Sequence, residues 1–171
     1  MLVALLLILG IFSRLIVHAP NFTPVIALAL FSGVYIQNKK YAVLFPLFLM
    51  MVSDAVIGFH STVVFTWASM ALTALIGFWL RDHRSIKSTF TTGVFSSVLF
   101  FVVTNFGVWL IGDHLYPQTA AGLRDCFMMA IPFFRSTLIS TLVFSFLLFG
   151  LYEVIAQRVR NTRLAAILLS A

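Results

Sequence analysis

Apolar residues run through this chain in six long blocks separated by short polar turns. The blocks are Leu2 to Val17, Val25 to Ile36, Ala42 to Phe59, Val63 to Leu80, Phe90 to Ile111 and Asp125 to Glu153. A helix needs roughly 20 apolar residues to cross about 30 Å of hydrocarbon. The pattern therefore predicts an all-α, polytopic membrane protein, a bundle of six transmembrane helices. The second block, of a dozen residues, makes a thin span that borrows from its flanking loops. The last block would be ~43 Å long at ~1.5 Å per residue, so it is expected to tilt, protrude or break near Pro132. The first block has no basic residues before it, and Pro20 after Ala19 makes a poor cleavage site, so it reads as a helix rather than a signal peptide. No internal repeat is evident beyond the alternation of spans and turns.

Composition agrees with this pattern. Hydrophobic residues make up 61% of the chain and charged residues 9%, against about a quarter charged in soluble domains. The mean hydropathy is +1.07. At 171 residues the chain has room for one transmembrane domain, 1–171, and no soluble one. The bilayer is its expected surrounding, and no nucleic-acid partner is expected. The single cysteine, Cys126, excludes an internal disulfide.

Charge orients the bundle. Lys39, Lys40, Arg81, Arg84, Lys87, Arg158, Arg160 and Arg163 fall in alternate connections, leaving Arg14, Arg124 and Arg135 toward the other side. The positive-inside rule makes the first side cytoplasmic and, with six spans, places both termini there. Arg14, the only charge of the first block, lies at its outer end and disagrees locally.

The polar interruption from Asn105 to Arg135 is where chemistry is expected. It gathers Asn105, Trp109, Asp113, Tyr116, Arg124, Asp125 and Arg135 within about thirty residues. Ionisable groups inside spans pair with one another or face a wet cavity. Arg14, Asp54, Asn105 and Arg135 all fall in the outer half, which predicts an outward-opening pocket. Its expected lining is Asn21, Phe22, Thr23, Asp54, Trp67, Asn105, Trp109, Tyr116, Arg124 and Arg135. Asp54 is expected to be ionised and paired with Arg14 or Arg135. The competing readings are a snorkelling Arg14 and interhelical tethering by Asp54, Asn105 and Trp109. The hydroxyl spacings Ser136 with Ser140, and Thr137 with Thr141 and Ser145, are assigned to helix packing. His18, His60 and His114 show no metal-ligand spacing, and no metal or cofactor is expected.

Hydrolase, zinc-protease and P-loop motifs are all missing. The expectation is a protein that is not an enzyme; active solute movement would draw on a gradient or a partner.

The strings SRLIVHAPNFTPVIALALFSG, FPLFLMMVSDAVIGFHS, TNFGVWL, YPQTAAGL and AIPFFRSTL resemble a family of small, uncharacterised bacterial membrane proteins that are described as transport proteins. More distantly, the size, the six spans and the TPVIALALFSG to VSDAVIG pattern look like the S components of energy-coupling-factor vitamin transporters. That resemblance implies a substrate-binding subunit of the bacterial inner membrane, with an outward pocket and a transmembrane coupling subunit and ATPases as partners. S components often carry A-x-x-x-A in the first helix, whereas here Ala4 is followed by Ile8. Two functions remain: a subunit that captures a small, vitamin-like or anionic solute, and a non-catalytic structural or assembly subunit of a larger membrane complex. A wet cavity in the outer half separates them.

Overall fold

The structure is a computed structural model that describes residues 4, 5, 8, 12, 20–112 and 115–162. The described residues form five α-helices: α1 (Val25–Tyr35), α2 (Lys39–Ile57), α3 (Val63–Asp82), α4 (Ile86–Ile111) and α5 (Ala120–Val159). The four helices α2 to α5 are long and apolar enough to cross a membrane. The predicted first helix, 2–17, and Arg14 fall outside the described residues apart from isolated positions, so five of the six expected helices are seen.

The short helix α1 is the centre of the bundle. All eleven of its residues are buried, and α2, α3, α4 and α5 all pack against it. Eleven residues rise roughly 16 Å, about half of a hydrocarbon core. Its start is set by Pro24, which has no N–H and fixes φ. Just upstream, Asn21 turns the chain with a left-handed φ of 59°, a conformation asparagine tolerates better than most residues.

Close backbone packing holds α1 against α3. A Cβ built on Gly77 would lie 2.8 Å from the Gly33 Cα and 2.6 Å from the Leu30 carbonyl oxygen, so only glycine fits at this crossing. Against α2 the tie is a hydrogen bond. Pro46 lacks the N–H that would bond the Ala42 carbonyl, and the Ser32 hydroxyl of α1 lies 2.9 Å from that oxygen. Against α5, Phe31 and Tyr35 stack with Phe149 and Tyr152 at centroid separations of 3.9 to 5.7 Å.

The long helices extend past the predicted spans. Asn38, Ser85 and Thr119 accept from the backbone N–H of Lys40, Ser88 and Gly122 at 3.0, 3.0 and 3.1 Å. These N-caps start α2, α4 and α5 three to five residues before the apolar blocks do. α2 ends earlier than predicted, at Ile57, before Gly58 with a φ of 116°. α5 has 40 residues and runs unbroken through Pro132. At roughly 60 Å it exceeds any bilayer, so protrusion rather than breakage accommodates it.

The two ends of the bundle differ in charge. One end gathers the α1, α3 and α5 C-termini with the α2 and α4 N-termini, and seven described basic residues from Lys39 to Arg160 lie there. The opposite end carries Arg124 and Arg135.

Candidate functional site

A polar cavity opens at the end opposite the basic one. Two adjoining lobes of about 240 and 200 Å³ share Asn21, Thr66, Phe100 and Thr137. The first lobe adds Thr23, Val25, Ile26, Met50, His60 and Met70, so it lies over the α1 N-terminus. The second adds Phe101, Thr104, Asn105, Ala130, Phe133 and Phe134 from α4 and α5. α1 is short enough to leave this space, and Asn21 and Thr23 of the turn before it line the cavity instead of a further helical turn.

Among the described residues, the Thr104 and Thr137 hydroxyls and the Asn105 amide do not tie helices together. Asn105 Nδ2 donates to the Phe101 carbonyl at 2.7 Å, Thr104 to Phe100 at 2.7 Å and Thr137 to Phe133 at 3.0 Å. Each bond stays within its own helix, and each side-chain oxygen keeps acceptor capacity toward the cavity.

Asp54 sits one turn beyond Met50 and is buried, with 1% of its surface exposed. The Trp67 indole N–H donates to its Oδ2 at 2.8 Å, which ties α2 to α3 beside the first lobe. Of the two arginines expected to pair with Asp54, Arg14 lies outside the described residues. Arg135 is exposed on α5 and takes no part in the described ion pairs. The expectation that Arg135 is buried in the pocket wall is thus corrected. Cys126, Ala130, Thr137, Thr141 and Ser145 mark the buried face of α5. Arg135 lies about 200° round the helix from Thr137 at ~100° per residue.

The other expected residues divide. Asn21, Thr23 and Asn105 line the cavity. Phe22 packs on Phe144 at 5.8 Å, outside both lobes. Trp109 is drawn away from the lobes: its indole donates to the Pro117 carbonyl at 3.0 Å, while Gln118 donates to the Trp109 and Leu110 carbonyls. Trp109 thereby clamps the α4–α5 turn. Tyr116, in that turn, lines neither lobe, and Arg124 pairs with its neighbour Asp125 at 2.9 Å in the open. Asp113, His18 and His114 lie outside the described residues. Among the described residues no cluster of three metal-ligating side chains occurs. Thr66, Met70, Phe100 and Thr137 were missed as lining; the spacing of Thr137 with Thr141 and Ser145, assigned to helix packing, was the signal that could have found Thr137.

Fold and cavity together define the class: an all-α, multi-pass membrane protein with a polar chamber at one end of the bundle. Along residues 1–164 the chain matches DUF6580, a family of unknown function, and it belongs to that family. No curated protein and no solved structure matches it. The family match is consistent with the resemblance to an uncharacterised family; the distant likeness to energy-coupling-factor S components gains no support from it.

Proposed function

We propose that the protein is a membrane transport component that captures a small solute in the chamber at the end opposite the basic one. The observation that carries this reading is that, among the described residues, the side chains of Asn105, Thr104 and Thr137 bond only to their own helices. A structural subunit would spend such side chains on bridges between helices; here their free oxygens border space. The walls combine Met50, Met70, Phe100 and Phe101 with hydroxyl and amide groups, which suits a small solute that is apolar on its faces and donates hydrogen bonds at its edge. With Arg135 outside the lobes, an anionic group is not required.

Asn105→Leu and Thr137→Val each remove one hydrogen-bonding oxygen and should weaken retention of a co-purified small molecule about two- to tenfold, the worth of one neutral bond. Native mass spectrometry of gently purified protein reads this directly. Unchanged retention in both variants, or a bare wild-type protein that no metabolite stabilises, would remove the solute reading. Co-purification of a transmembrane subunit and ATPases in the same preparation tests the S-component-like role.

In this reading the basic end faces the cytoplasm of a bacterial inner membrane. Gln157→Cys should then react with an impermeant thiol reagent only after permeabilisation, and Ala121→Cys in intact cells; the reverse pattern refutes the orientation.

A further inference from the structure

We infer that a second cleft, between α4 and α5 at the basic end, binds an anionic phospholipid. The cleft encloses about 630 Å³, more than either lobe of the polar chamber. Its walls are Ile86 and Thr89 on α4 with Phe146, Phe149 and Gly150 on α5. Ile86 is 80% exposed and Phe146 40%, so the cleft opens sideways, toward the acyl chains of the surrounding bilayer. A Cβ built on Gly150 would meet nothing within 4 Å. The protein leaves an apolar slot there that none of its own described side chains fills.

The rim of the same cleft carries Arg84 and Arg160, with one carboxylate, Glu153, beside them. Arg84 approaches Glu153 only loosely, at 3.6 Å with both side chains about half exposed, and Arg160 joins no described ion pair. The cleft therefore has positive charge to spare at headgroup level directly above an apolar slot. A phosphate ester anion fits the guanidinium forks. The apolar slot selects an anion that carries hydrocarbon, since a free phosphate gains nothing from Phe146, Phe149 or the space beside Gly150. Basic pockets between membrane helices hold anionic headgroups by this combination of charge and apolar contact. The site lies at the other end of the bundle from the solute chamber and does not depend on the solute reading.

The full-length protein in detergent, titrated with phosphatidylglycerol and watched by native mass spectrometry, tests the assignment. Phosphatidylglycerol adducts should outlast those of phosphatidylcholine with the same chains. Arg160→Gln should weaken them about fivefold, as expected for one interfacial arginine at ~1 kcal/mol. Gly150→Leu, whose Cβ would meet nothing within 4 Å and which favours the helix, should weaken them at least as much while the protein stays folded by circular dichroism. Equal retention of the two lipids, or full retention by both variants, overturns the proposal. Displacement of the lipid by millimolar inorganic phosphate also overturns it, and makes the cleft a free-anion site.

Discussion

Gly77→Leu should yield no folded, monodisperse protein, and Gly77→Ala should lose about 3 kcal/mol or more of stability. Overpacking usually costs about 1–3 kcal/mol because side chains can rotate away. Here the obstacle is backbone: the added carbon would sit 2.8 Å from the Gly33 Cα and 2.6 Å from the Leu30 carbonyl oxygen. α1 cannot retreat, since every one of its residues is buried against neighbours. Size-exclusion profile and thermal unfolding in detergent measure the effect, with Gly150→Ala as the control in open space. A Gly77→Ala protein that unfolds at the wild-type temperature would show that α1 and α3 do not cross backbone to backbone.

Arg81→Ala should be the next most damaging change, at about 3 kcal/mol. A helix leaves its last carbonyls unpaired, and those of α1 lie part-buried at the basic end. The Arg81 guanidinium of α3 satisfies them, donating from Nη2 to the Gly33 carbonyl at 2.7 Å and the Ile36 carbonyl at 2.6 Å, and from Nε to Gly33 at 3.2 Å. Its plane also lies over Phe78, 5.4 Å from the ring centre. Bonds to a charged donor contribute about 1.5–3 kcal/mol each and do not add fully. The positive charge further opposes the negative end of the helix dipole. Arg81→Lys should recover less than half of the loss, because an ammonium lacks the planar fork that reaches several oxygens at once. Full rescue by lysine would reduce the role of Arg81 to simple charge.

The long helices were legible in the sequence because hydropathy records what lies in hydrocarbon. The starts of α2, α4 and α5 were not, because Asn38, Ser85 and Thr119 cap helical turns that lie outside the apolar blocks. Arg81 counted only as one more basic residue of a loop, since nothing in its neighbourhood along the chain discloses a partner 48 residues earlier. The same limit explains the mixed reading of the polar chamber. Depth along a span was inferable for Asn105, which with Asn21 and Thr23 lines the cavity. Direction round the helix was not inferred, although the stripe Cys126, Ala130, Thr137, Thr141 and Ser145 contained it, and Arg135 was assigned to the wrong face. Trp109 was on the right helix but is engaged by Pro117 and Gln118, a contact that depends on how the α4–α5 turn closes.

The dependence of α1 on Arg81 also bears on how the chain is made. At ~5–20 residues per second, the 48 residues between Gly33 and Arg81 take about 2 to 10 s to synthesise. During that interval α1 is too short to hold a transmembrane position alone, and its terminal carbonyls have no guanidinium to meet. The nascent chain must wait in a sheltered, hydrated place, beside the insertion machinery or at the membrane surface, until α3 emerges and draws it in. Insertion of this protein is therefore not a simple sequence of independent spans: its most apolar helix is completed by a residue the ribosome has yet to add.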